Sequence, residues 1–138
     1  MTRRSGTVPE ETKSRLLQSA VCEFGEYGFE KASLRRICAR ADVTTGALYF
    51  FFRDKEDLFR NVIAPVTDRL LKLMKMHYEV EQNSPDVNII KGESEDFRIA
   101  DEFFDLYFAN QEICRIVLSN REHPLVTSFF DRLIQMMD

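Results

Sequence analysis

Residues 33–52 read SLRRICARADVTTGALYFFF. Ser33 stands at an N-cap, where its hydroxyl can accept from a free backbone donor of the first turn. Leu34, Ile37, Cys38 and Ala41 then recur three and four apart, with Arg35, Arg36 and Arg40 between them, so a short basic helix is expected. Asp42 falls where the chain must turn. Thr44 can cap a third helix in which Leu48 and Phe52, four residues apart, share one face. Two short helices joined by a tight turn are the signature of a helix-turn-helix.

The same periodicity extends outward. Pro9, Glu10 and Glu11 suit a first helical turn, because Pro lacks a donor there and carboxylates favour the positive end of the helix dipole. Leu16, Leu17, Ala20, Val21 and Phe24 form an apolar stripe, and Gly25 and Gly28 supply the stop, giving a helix over about residues 9–27. Downstream, Asp54 caps a fourth helix carrying Leu58, Phe59, Val62, Ile63, Val66, Leu70, Leu71 and Met74 to about Tyr78, and Pro65 should kink it. Residues 81–94, with Asn83, Ser84, Pro85 and Gly92, read as a polar loop holding one apolar island, Val87–Ile90. Helices follow over Phe97–Ala109 and Gln111–Ser119, and Pro124 opens another. The expected fold is all-α: residues 1–60 make a three-helix domain with a helix-turn-helix, and residues 61–138 a second helical domain.

Composition narrows the function. The 138 residues, 44% hydrophobic and 30% charged, describe an ordinary globular chain. The longest uncharged run, Val43–Phe52, is half of what a membrane span requires, and no apolar stretch follows Arg3 and Arg4 to make a secretory signal. A cytoplasmic protein with no membrane contact is expected. Cys22, Cys38 and Cys114 show no paired spacing, so packed thiols are expected rather than disulfides or a zinc site. The net charge of −4 hides an asymmetry of +2 over residues 1–60 and −6 over residues 61–138. No catalytic grouping, nucleophile elbow or phosphate loop occurs, which speaks against an enzyme. His77 with Glu81, and His123 alone, fall short of a ligand set, so neither metal nor cofactor is expected.

From Leu16 to Phe59 the chain resembles the DNA-binding region of TetR-family transcriptional regulators. The likeness is carried by Ala20 and Phe24, Gly28-Phe29, Ser33 ahead of Arg36-Ile37, Ala41-x-Val43-Thr44, Gly46-x-Leu48-Tyr49 and Phe52-x-x-Lys55-x-x-Leu58. Asp42 departs from the family's usual Gly at a left-handed turn position, which Asp tolerates better than most residues. The resemblance implies a recognition helix entering the major groove by its N-terminal end, exposing Thr44, Thr45, Gly46, Tyr49 and Phe50. Ser33, Thr44, the Tyr49 hydroxyl and Lys55 would contact phosphates. Base reading would fall to Thr45, to Ala47 against a thymine methyl, to Phe50 by apolar contact, and to Arg35 or Arg36 at guanine. Arg3 and Arg4 could form a basic arm in the minor groove, or a solvated tail.

The resemblance further implies a repressor released from a double-stranded DNA operator by a small apolar or amphipathic effector, working as a homodimer if the chain is complete. Met74, His77, Tyr78, Phe104, Tyr107, Phe108 and Cys114 are candidates to line the effector pocket, against the plainer reading that they are core. The family's last two helices, which dimerise, have no counterpart before Asp138, so the second domain is expected to be incomplete. The competing reading is a helical interaction protein of the same fold without operator binding.

Overall fold

A computed structural model describes residues 9–83 and 89–137, in which seven helices occur: α1 Pro9–Lys31, α2 Leu34–Ala41, α3 Thr45–Phe51, α4 Lys55–Asn83, α5 Ile89–Ala109, α6 Gln111–Ser119 and α7 Pro124–Met137. The described residues contain no strand, and the fold is all-α as expected. The Arg3–Arg4 arm, and residues 84–88 of the expected loop, lie outside the described residues.

Pro9 opens α1 and Glu10 and Glu11 fill its first turn. Thr12, Leu16, Ser19, Ala20, Glu23 and Phe24 are buried along one stripe. The helix is longer than the sequence suggests, because the chain breaks at Gly28 and then turns once more. Gly28 has φ 78° and ψ 168°, outside what a residue with a side chain adopts easily. Beyond it the Ala32 N–H donates to the Gly28 and Phe29 carbonyls at 3.0 and 3.3 Å.

Asp54 caps α4, its carboxylate accepting from the Asp57 N–H at 2.7 Å. The helix runs on through Pro65, which is exposed and deprives the Asn61 carbonyl of its usual donor. The sequence underestimates both helices around the expected loop. α4 reaches Asn83, and α5 already includes residues 89–94. Polarity there misleads, since Lys and Glu are good helix formers and a single Gly92 costs only about 1 kcal/mol.

The main core of the described residues spans both halves of the chain. Leu16, Phe24, Ile37, Leu48, Phe52, Leu58 and Phe59 of the N-terminal helices join Ile116, Val117, Val126 and Phe129 of α6 and α7 in a single buried cluster. Phe59 meets Phe24 edge-on at 5.1 Å and Phe29 at 5.1 Å. Helix α1 therefore packs against α2, α4 and α6. Helix α5 lies on α4, where Arg69 pairs with Glu102 at 3.0 Å, and it leaves Phe97, Phe104 and Phe108 exposed. Among the described residues no helix is long and apolar enough to cross a membrane.

Candidate nucleic-acid interface

The α2–turn–α3 unit is built by its caps. Ser33, extended at φ −116° and ψ 123°, accepts from the Arg36 N–H at 3.2 Å and starts α2. Asp42 ends it in the left-handed region, φ 57° and ψ 49°, while its N–H donates to Ala39 and the Val43 N–H to Cys38. This is the turn for which Gly would be the easier residue, and Asp adopts it. Thr44 then accepts from the Ala47 N–H at 3.0 Å and opens α3.

Helix α3 buries Leu48 and is closed by buried Phe52, with Phe51 half-buried against the core. Thr45, Gly46, Tyr49 and Phe50 are exposed, Tyr49 by 56% and Phe50 by 79%; Ala47 is half-buried. Phe50 does not fold back onto the core. Its ring stands edge-on to Phe51, centroids 5.0 Å apart at 86°.

The cations expected at DNA differ in their surroundings. Arg35 is exposed, and no ion pair involves it among the described residues. Arg36 is held by Glu23, its Nε and Nη2 each 2.8 Å from the carboxylate, and it donates to the Lys31 carbonyl at 3.0 Å while lying over the Tyr27 ring. The hydrogen bond to Glu23 pushes the guanidinium still further above its ordinary value. Lys55 donates to the carbonyls of Glu30 and Ala32 at 3.1 and 3.3 Å and sits over the Phe29 ring at 4.6 Å. It closes the end of α1 from the start of α4.

Glu23 was missed by sequence reasoning. It is wholly buried, and besides Arg36 it accepts from the Ser33 N–H at 2.9 Å and lies 3.5 Å from Arg40. Ser19 adds two further ties between α1 and α2, donating to the Ile37 carbonyl at 2.7 Å and offering its own carbonyl to Arg40 at 3.1 Å. The signal was present in helical phase: Glu23 falls three residues after Ala20 and seven after Leu16, on the buried face.

The expected effector-pocket residues do not share one cavity. Met74, His77, Tyr78 and Phe104 line a cavity of about 710 Å³ between α4 and α5, together with Phe97 and Phe103. Tyr107 and Cys114 line a second, of about 330 Å³, bordered by α4, α5, α6 and α7, which Met74 and Phe103 also line. Phe108 lines neither of these and is 63% exposed, its ring stacked on that of Phe104. Burial pushes the Cys114 and Cys38 thiols up from their ordinary value, in keeping with packed thiols, whereas Cys22, also expected to be packed, is exposed because it falls on the outer side of α1. Among the described residues no group of three His, Cys, Asp or Glu could hold a metal.

Residues 16–62 match the family described as bacterial regulatory proteins, tetR family. The chain is 37% identical over 62 residues to the HTH-type transcriptional regulator AcrR of Shigella flexneri, covering 45% of this chain and 29% of that protein. It is 39% identical over 61 residues to the HTH-type transcriptional repressor BepR of Brucella suis, covering 44% and 29%. An HTH-type transcriptional regulator of Bacillus subtilis, YdgC, matches over 109 residues at 31% identity, 74% of this chain and 56% of the relative. The chain thus spans between about three tenths and just over half the length of these relatives. Its fold resembles a transcriptional regulator of the TerR/AcrR family from Aquifex aeolicus, with a TM-score of 0.65 at 21% identity over 91% of this chain and 66% of that one.

Proposed function

We propose, from the match of residues 16–62 to the tetR family of bacterial regulatory proteins, that this chain is a DNA-binding transcriptional regulator, a repressor that leaves its operator when a small apolar or amphipathic molecule binds its second half. The observation that carries this reading is the α2–turn–α3 unit, capped by Ser33 and Thr44 and turned at left-handed Asp42, which puts Thr45, Gly46, Tyr49 and Phe50 on an open surface. An outward-facing helix of this kind is the part that enters the major groove. Residues 1–60 supply the DNA-binding part and residues 61–138 the regulatory part of a cytoplasmic protein, which is a homodimer if the chain is complete.

Ser33, Thr44, Tyr49 and Lys55 set the register on phosphates, while Thr45, Ala47, Phe50 and Arg35 face base edges. Arg36, already engaged by Glu23, holds α2 against α1 and approaches DNA only at its margin. The effector occupies the α4–α5 cavity, whose volume of about 710 Å³ suits a small organic molecule and whose polar anchors are His77 and Tyr78.

Titration of a labelled random duplex across salt tests the reading. Affinity falls steeply between about 50 and 200 mM salt if lysines and arginines displace counterions. Absence of salt-dependent binding would favour the alternative, a helical interaction protein of the same fold.

A further inference from the structure

Helix α3 carries no charged side chain and no Asn or Gln: Thr45–Phe51 reads TGALYFF. The Thr44 hydroxyl is engaged by the Ala47 N–H. With Thr44 at the cap, where it can serve a phosphate, polar groups on the helix itself are reduced to the hydroxyls of Thr45 and Tyr49. A hydroxyl both donates and accepts, so it separates the four base pairs poorly. What α3 offers in quantity is apolar surface, led by the 79% exposed Phe50.

On the major-groove edges of the four base pairs one group is apolar, the C5-methyl of thymine. Two features of α3 suit it. The Phe50 ring is presented rather than collapsed, braced edge-on by Phe51, which itself packs on the core. Gly46, one turn before Phe50, has no internal need to be glycine: a Cβ there would meet only Thr44 Oγ1 at 3.9 Å, an ordinary contact. A glycine inside a helix costs about 1 kcal/mol relative to alanine. The helix surface at Gly46 is therefore open, with Thr44 Oγ1 alone within 4 Å of where a Cβ would stand.

Resting on the regulatory reading above, we infer that Phe50 determines operator specificity by covering the C5-methyl of a thymine, so that the preferred sites are defined by a methyl group more than by hydrogen bonds. Thr45 and Ala47 add small apolar contacts alongside it.

Deoxyuridine tests this, since it differs from thymidine by that methyl alone. The protein selects duplexes from a random pool, and each thymine of the enriched sequence is then replaced singly by deoxyuridine. One thymine per half-site should weaken binding about fourfold on replacement, the value of one buried methyl group. Phe50→Ala should bind the thymine and deoxyuridine duplexes alike, with a melting temperature equal to the parent's because the ring is outside the core. Phe50→Leu, which keeps apolar bulk, should retain part of the difference. Equal affinity of the parent for both duplexes would overturn the inference while leaving DNA binding intact, as would a difference that persists in Phe50→Ala. If no duplex were bound in a salt-dependent way, the regulatory reading would fall first and this inference with it.

Discussion

The Phe29 N–H donates to Asn120 Oδ1 at 3.0 Å, joining residues 91 positions apart. The contact lies beside Gly28, where α1 breaks, so Asn120 accepts a donor that the helix can no longer engage. The same side chain donates to the Ile116 carbonyl at 2.7 Å and so ties the end of α6 to α1. Asn120→Ala should destabilise the protein by about 1 to 2 kcal/mol, since a part-buried amide loses its partner. Urea denaturation would report a lower midpoint at unchanged slope; an unmoved midpoint would mean that water replaces the side chain.

Removing Arg36 and removing Glu23 should not be equivalent. Arg36 is half exposed and returns to water when Glu23 is lost, whereas Glu23 is buried and stays so when Arg36 is lost. Arg36→Ala should therefore lower the urea midpoint more than a surface arginine would, and Glu23→Leu added to it should recover most of the loss. If the double variant were the least stable of the three, the carboxylate would be needed for Ser33 and Arg40 in its own right.

Asp42 holds a left-handed conformation that costs an L-residue roughly 1 kcal/mol. Asp42→Gly should raise thermal stability modestly and Asp42→Val should lower it, with the helix-turn-helix retained in both. Were Gly to destabilise, the Asp side chain would hold the turn in some further way.

Burial beneath Phe29 and Phe59 pushes the His123 imidazole below its ordinary value, with Arg60 acting in the same direction and Glu56 and Glu30 opposing. Its Nδ1 accepts from the Leu125 N–H at 3.1 Å at the start of α7. As pH falls, the unfolded chain takes up the proton before the folded chain does. The stabilisation is thus fully present above about pH 6.5 and declines below it, until the folded imidazole also protonates. The urea midpoint should drop between about pH 7.5 and 5.5 and drop less in His123→Gln. A parent midpoint that stays level over that window would contradict the assignment.

On DNA, Tyr49→Phe should weaken specific and random duplexes alike, by on the order of 1 kcal/mol, as expected for one phosphate hydrogen bond. Arg35→Ala should relax the preference at one base pair by roughly 1 to 3 kcal/mol. Competition titrations against single-position variants of the operator separate the two, and a uniform loss for Arg35→Ala would make it a phosphate contact.

The caps of α2 and α3 were readable because capping is local: Ser33 and Thr44 each act on a residue three positions on, and both start a helix in the structure. The first turns of α5 were not, since residues 89–96 carry no clean apolar period. The engagement of Arg36 depended on a carboxylate thirteen residues away being folded beneath it, which spacing within α2 cannot reveal. The scattering of Tyr107, Phe108 and Cys114 away from His77 has the same origin. An aromatic run marks a helix, but which of its faces meets α4 is set by packing.

The shared core has a consequence for how the protein comes apart. Ile116, Val117, Val126 and Phe129 lie in the same buried cluster as Leu16, Phe24 and Phe59, so residues 1–60 do not enclose a complete interior of their own. A boundary near residue 60 therefore does not separate two folding units. Excised, the N-terminal segment would expose the faces of Phe24 and Phe59 to water and lose the Asn120 acceptor at Phe29. Amide protons of α1 and of α6 should accordingly exchange with solvent through a common opening event, and a ligand that tightens α6 would slow exchange in α1 without touching it.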